Sequence, residues 1–529
     1  MRKHFEFLAN QTISGGMSRR EFLGRTAALG LGAVAANSLL GSVAQAAGPI
    51  KGGLAKFGIG GGQSTDSLDP ALSLNQMTFM VQRTWGETLL DVNPDGTLDM
   101  RLAESYDSSD DAKSWSFKIR KDVTFHNGKT VTPDDVMQTL LRHSDKDSKS
   151  GALGVMRNIS GVKVDGDNVI VELINANADL PYLMSDFHLM VQPNGGRDEP
   201  AAAIGTNAYK LVESEPGVRF AFERNPDYWD SSRGHFDSIE MMVINDDTAR
   251  NAALQSGQLH IVNKISPKVA GLLSRAPNLT IERVAGRGHY VFVMMCDREP
   301  FQTRELRNAL KYAVNREEMV DKILRGYGTV GNDFPINSAY PFFDESIPQR
   351  EYDPEKAASL YKQSGHDGSP IILRVSDGAF PGAVDAAQLY MESAKAAGIP
   401  LEIKREPADG YWSNVWNKQP FCASYWEGRT VQDQMYSTAY VSSADWNDTH
   451  FYNDHFDELL VQAKGELDAA KRKKLYSEMA YLVRDEGGLI CPMFNDFIEG
   501  VSKKIGGWEK NGVFQLMNGL APVKCWLNS

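Results

Sequence analysis

Between residues 205 and 262 the apolar positions change period twice. Residues 209–212 form a short β-prone run, Pro216-Gly217 is a turn dipeptide, and residues 218–224 alternate with Val218, Phe220 and Phe222 on one face. Asn225-Pro226 breaks that strand, and residues 239–244, apolar except for Glu240, read as a buried one. Asp247 is placed to cap a helix from Thr248, which Gly257 would stop. Upstream, a glycine-rich strand is expected over residues 52–62, and Met77, Met80, Val81 and Trp85 predict a helix over residues 77–90. Thr132, Pro133 and Asp135 occupy the N-cap, N1 and N3 positions of another. Strands are expected at residues 115–120, 168–173, 290–295, 421–426 and 489–494, and a strand-helix-strand unit at residues 371–405. Helices are predicted after Thr303, Asn315 and Asp353, and over residues 454–460 and 471–484; residues 427–448 read as an irregular polar and aromatic loop. Strands and helices in this alternation make an α/β protein.

At 529 residues the chain exceeds one hydrophobic core, so two or more domains are expected. Its 42% apolar share indicates a globular chain, and a net charge of −12 argues against a nucleic-acid surface. The amino terminus sets the compartment. Ser18-Arg19-Arg20-Glu21-Phe22-Leu23 has the form of a twin-arginine export signal, an apolar stretch covers residues 27–43, and Ala44-Gln45-Ala46 fits a cleavage site. Cleavage after Ala46 leaves 483 residues with a charge of −15 and, with no cysteine at the cleavage point, a free periplasmic protein. Cys296, Cys422, Cys491 and Cys525 lack metal-ligand spacing; a Cys422–Cys491 bridge requires neighbouring strands, and free buried thiols are the other reading.

Gly205-Thr206…Tyr209-Lys210-Leu211, Glu223-Arg224-Asn225-Pro226-Asp227-Tyr228-Trp229 and Asp247-Thr248-Ala249…Ala253-Leu254-Gln255-Ser256-Gly257 resemble, in order and spacing, the solute-binding proteins of ABC importers in the peptide- and nickel-carrying family 5. The resemblance extends through Trp85-Gly86-Glu87-Thr88-Leu89-Leu90, residues 102–129 and residues 301–329, and so covers essentially the mature chain. It implies a periplasmic-binding-protein type II fold: two lobes with central mixed sheets joined by hinge strands, plus an extra small α+β domain. The implied segments are a signal peptide at 1–46, a first lobe at 47–90, 201–298 and 506–529, the small domain at 91–200, and a second lobe at 299–505. It also implies capture of a peptide or peptide-like solute by hinge closure. The expected partners are that ligand, an inner-membrane permease pair with cytoplasmic ATPases and the twin-arginine export machinery, with the protein itself a monomer.

No catalytic or phosphate-binding motif and no cofactor motif is visible, so no cofactor is expected. The Gly58–Gly62 run lacks the Lys-Ser/Thr of a phosphate loop. His126 reads as a structural, hydrogen-bonded histidine, and the spacing of His450 and His455 is poor for a shared metal. The candidate ligand site is the loop after Trp426, where peptide-binding members carry an aspartate that holds the peptide ammonium. This chain departs from that pattern by placing Arg429 after Gly428. Arg429 either grips a ligand carboxylate or pairs internally with Glu427 or Asp433. Tyr411, Trp412, Tyr425, Trp426, Trp446 and Asn447 add stacking and polar surface; Asn75, Gln76, Asn332, Asp333 and Asn495 complete the candidate set. An opine, an oligosaccharide or a metal chelate is the alternative ligand, and a periplasmic hydrolase the remote alternative function.

Overall fold

The computed structural model describes Glu21, Arg25 and residues 49–408 and 410–528. Among the described residues, no helix is long and apolar enough to cross a membrane. The Arg-Arg dipeptide at 19–20 and the cleavage site after Ala46 lie outside the described residues.

The 205–262 pattern builds one side of a seven-stranded mixed sheet. Tyr209–Glu215 and Arg219–Arg224 form a hairpin, and Ser238–Val243 pairs antiparallel with the second strand and parallel with Leu54–Ile59. Ile261–Val262, Phe497–Ser502 and Leu279–Val284 complete the sheet. Phe220 and Phe222 are buried against Phe57, Ile239 and Met241, whereas Val218 lies in the turn and is exposed. The helix after this hairpin, Asp247–Gln255, is capped by Asp246, one residue earlier than expected. The helix Gln76–Trp85 stops five residues short of the predicted end at Leu90, since Gly86 takes an extended conformation and Leu90–Val92 pairs as a strand with Leu98–Met100.

Gly205 shows why its side chain is a hydrogen. An added Cβ would lie 2.3 Å from the Trp85 carbonyl oxygen, and the next residues close the end of that helix: Asn207 donates its amide to the Arg83 (2.8 Å) and Gly86 (3.0 Å) carbonyls.

A separate four-stranded antiparallel sheet, ordered Ala103–Ser108, Ser114–Ile119, Asn168–Leu173, Ile159–Asp165, packs with Pro133–Ser144 around its own core. The second lobe is a six-stranded sheet in the order Gly328–Val330, Leu489–Asn495, His289–Met294, Phe421–Trp426, Ile371–Val375, Leu401–Arg405. The last two are parallel, joined by the helix Ala383–Lys395. Two expected lobe boundaries move: His289–Met294 already belongs to the second sheet, before residue 299, and Phe497–Ser502 has already returned to the first, before residue 505. Residues 427–448 are not wholly irregular, because Gln432–Ala439 is a helix buried on nearly every side; a helix without an apolar stripe or a side-chain cap leaves no periodic signal. Cys422 and Cys491 lie on strands that both pair with His289–Met294, so a whole strand separates them and both are free thiols.

Four groups from the first lobe and the small domain meet on one buried carboxylate. Glu87 accepts hydrogen bonds from Arg101 (3.0 Å) and Tyr228 (2.8 Å) on one oxygen and from Thr206 (2.9 Å) and Trp229 (3.0 Å) on the other. Arg101 and Arg233 carry the network on to Asp91, Asp99 and Asp230, and the surrounding guanidinium groups hold the buried Asp91 carboxyl far below the usual range despite its desolvation. Replacing Glu87 by Ala leaves Arg101 and three other donors without their acceptor. That loss is expected to destabilise the protein by about 3–5 kcal/mol, read as a lowered urea midpoint.

Candidate functional site

A cleft of about 1440 Å³ lies between the two sheets. The first lobe supplies the bend Gly60–Gly62, the loop to Gln76, and Asn245, Asp247, Arg250 and Lys264; Phe187 and Phe514 add apolar wall. The second lobe supplies the Asp377–Asp385 loop, Arg405 and the end of strand Phe421–Trp426 with its following loop. The glycine bend is held from beneath by two asparagines: Asn263 accepts from the Gly60 amide and Asn245 from the Gly61 amide, each at 2.8 Å. A Cβ on Gly60 would meet the Arg250 guanidinium at 2.8 Å, so this stretch is glycine because the backbone runs over a buried arginine.

Of the residues expected at the site, the cleft brings together Asn75, Gln76, Trp412, Tyr425, Trp426, Glu427, Arg429 and Trp446. Asn75 serves two purposes, capping the helix Gln76–Trp85 through Met77 and Thr78 while donating to Asp66 at 2.5 Å. Asn495 lies off the main cleft, on an adjoining cavity of about 50 Å³ that shares Lys264, Tyr425 and Glu427. Five expected residues face elsewhere. Asp333 is fully buried between Arg316 (2.6 Å) and Arg350 (2.9 Å). Asn332 bonds the backbone of Pro348 and Arg350. Tyr411 donates to the Ala423 carbonyl inside the second core. Asn447 ties its own loop to the Phe451 carbonyl. Asp433 sits where the small domain meets the second lobe, taking Lys464 (3.2 Å), Asn177 (2.9 Å) and Ser437 (2.7 Å). Each is a polar side chain in a chemically suggestive stretch whose bonds are used to hold backbone or interface, which sequence spacing does not reveal.

Arg429 does not pair with Glu427 or Asp433, and no carboxylate lies within ion-pair distance of it among the described residues. Its guanidinium donates to the carbonyls of Glu427 and Gly428 (both 3.2 Å) and lies 5.9 Å from the Trp426 ring. Lys264 was absent from the sequence-derived set; it follows the two-residue strand Ile261–Val262 with a left-handed backbone (φ 50°), and its ammonium lies 5.4 Å from the Tyr425 ring. Nothing in a lone lysine after a short strand marks it as a cleft residue.

The aromatic wall is a continuous array, edge-to-face except for the tilted Trp426–Trp446 pair. Trp412 meets Tyr425 at 5.4 Å and Trp416 at 6.0 Å, and Trp416, Trp426 and Trp446 are mutually 6.0–6.3 Å apart. Behind it, one oxygen of the buried Asp448 accepts both the Trp416 (2.9 Å) and Trp426 (3.2 Å) indole N–H groups, while its other oxygen has no partner among the described residues. Burial pushes this carboxyl up to about 7. His126, as expected of a structural histidine, bonds the Asn207 carbonyl at 2.9 Å, and burial lowers its pKa to about 4. His450 and His455 bond separate carboxylates, Asp297 and Glu478.

A profile of the bacterial extracellular solute-binding proteins, family 5 Middle, matches residues 97–448. The chain belongs to this family. Among curated relatives, di/tripeptide-binding protein 1 of Pseudomonas aeruginosa (strain UCBPP-PA14) is 26% identical over 421 residues, covering 73% of this chain and 78% of the relative. Glutathione-binding protein GsiB of Pectobacterium atrosepticum is 22% identical over 464 residues, covering 84% and 90%. Two solved structures superpose with a TM-score of 0.81. The periplasmic binding protein DppA of Helicobacter pylori, in complex with the peptide STSA, is 20% identical and covers 91% of this chain and 99% of its own. AgaA of A. tumefaciens R10, in complex with agropinic acid, is 22% identical and covers 90% and 99%. The fold is that of the type II periplasmic binding proteins.

Within this family-5 cleft the Asp448 arrangement makes a pH prediction. Well below pH 4 the acid is neutral in folded and unfolded chains alike. Between about pH 4, where the unfolded carboxyl ionises, and about pH 7, where the folded one does, the folded site holds a proton that the unfolded chain has released, and stability is progressively lost. Asp448→Asn keeps an oxygen for both indoles and removes the ionisation. Relative to wild type it is expected to gain roughly 2–4 kcal/mol between about pH 4 and pH 8, measured by urea unfolding at the two pH values.

Proposed function

We propose that this protein is the periplasmic substrate-binding component of an ABC importer, which takes a peptide or peptide-like solute between its lobes and delivers it to a membrane permease pair driven by cytoplasmic ATPases. The observation that carries this reading is the inter-lobe cleft itself. Its volume exceeds the roughly 300–1,000 Å³ of an ordinary small-ligand site, it joins an aromatic wall to charged groups, and its two sides belong to different sheets. A solute touching both sides stabilises the closed arrangement, because only there are all its contacts available. Relatives named for di/tripeptides and for glutathione support a peptide-like ligand.

Binding, not turnover, is the proposed activity; among the described residues the charged groups at the cleft form no nucleophile–base pair. The chain acts as a monomer, is exported through the twin-arginine route on the strength of the motif at residues 18–23, and is cleaved after Ala46. Small-angle scattering of the mature protein, with and without its co-purified solute, tests the reading. Removal of solute is expected to increase the radius of gyration, and its return to restore it, with the solute recovered chemically unchanged. Conversion of the solute at enzymatic rates would overturn the proposal.

A further inference from the structure

Among the described residues, five carboxylates and five cationic side chains line the cleft, and they are not equally committed. Three pairs neutralise one another: Arg250 with Asp247 (2.6 Å), Lys268 with Asp385 (2.6 Å) across the lobes, and Arg405 with Asp377 (3.0 Å). The two remaining acids have amide donors. Asp66 accepts from Asn75 (2.5 Å) and the Gln63 backbone (2.9 Å), and Glu427 accepts from Gln515 (2.9 Å). The two remaining cations are less well supplied. Arg429 has only the carbonyls of its own loop, and the Lys264 ammonium has neither a hydrogen bond nor an ion pair among the described residues.

The surroundings of Lys264 form a seat. Gly61 has φ +108°, and the Cβ it lacks would stand 3.4 Å from the Lys264 ammonium and 4.0 Å from the Cβ of Gln76. Gln76 is 3% exposed, and among the described residues neither its amide nitrogen nor its amide oxygen has a partner. It lines the cleft at the start of the helix Gln76–Trp85, whose Met77 and Thr78 amides Asn75 already caps. An unpaired ammonium and an unpaired amide therefore belong to the two residues that flank the missing side chain of Gly61.

We infer that the solute is an anion, with a carboxylate or equivalent oxyanion seated on Lys264 and Gln76 at the Gly61 bend and a second acidic group met by Arg429 from the opposite lobe. The inference rests on the solute-binding reading and gives it a substrate class: acidic, carboxylate-bearing small molecules, acidic peptides included, with basic solutes excluded. Burial, with the Arg250 charge adding to it, holds the Lys264 ammonium below the usual lysine range, and Glu427 and Asp247 only partly offset it, so an arriving anion favours the charged form. Glu427 lies within electrostatic reach of both cations, and burial raises its carboxyl, which limits its competition with the ligand.

Thermal unfolding of the mature protein in sodium glutarate, glutaramide or cadaverine, each at matched ionic strength, reads this selectivity directly. Glutarate is expected to raise Tm, and the other two to leave it unchanged. Lys264→Gln, an unbranched replacement that adds no strain at the left-handed position, should weaken glutarate binding tenfold or more, as should Arg429→Gln, while Lys264→Arg retains it. Equal stabilisation by glutaramide or cadaverine, no response to glutarate, or undiminished glutarate binding by Lys264→Gln would each overturn the inference. None of these outcomes bears on lobe closure around the co-purified solute, which the scattering experiment reads separately.

Discussion

The architecture depends on one pair of chain segments that cross from sheet to sheet side by side. Leu279–Val284 pairs with Phe497–Ser502 in the first lobe, and a few residues on, His289–Met294 pairs with Leu489–Asn495 in the second. Only Asp496 separates the last two strands, and its carboxylate is held by Arg283 on the neighbouring segment. The Phe497 ring fills the space beside the other crossing, where a Cβ on Gly286 or Gly288 would meet it at 2.7 or 3.1 Å. Two extended strands resist stretching but tolerate small changes of φ and ψ over several residues. Such a connection allows the lobes to rotate while their sheets stay intact.

The two sides of that hinge are rigid for different reasons. In the first lobe, Glu87 and its arginine neighbours fasten the small domain to the 205–262 segment through buried, multiply bonded charges. The second lobe is a large apolar core in which Asp333 bridges Arg316 and Arg350, with Asp485 as a second partner of Arg350. Between them, polar contacts link the small domain to the second lobe: Arg472 with Asp179, Asn177 with Asp433, and Gln434 with Asp186. These contacts lie apart from the cleft lining, so closure has energetic terms of its own besides those the ligand supplies.

The cleft divides its chemistry accordingly. Its tryptophan array comes from the second lobe and is fixed from behind by Asp448, while the glycine bend and Lys264 come from the first. A solute thus meets the indole faces together with charged groups on one side and a glycine bend with an unpaired ammonium on the other. Arg429 adds to the second lobe's side of the cleft a cation with no ion-pair partner among the described residues.

The sequence by itself determined most of the frame. Period-two runs such as residues 218–224 and capping signals such as Thr132-Pro133 and Asp353-Pro354 are local, and local backbone preferences decide such elements with little outside help. It also pointed to the Trp426–Arg429 loop as a candidate, and that loop lines the cleft. Only the tertiary structure decided which polar residues are spent internally. Asp333 and Asp433 look as available in the sequence as Glu427, yet partners contributed by distant segments consume them. Lys264 has no motif at all; it matters because Gly61 and Gln76, nearly two hundred residues earlier, leave a gap beside it. Helix and strand follow from neighbours in the chain, but whether a charge is free follows from neighbours in space.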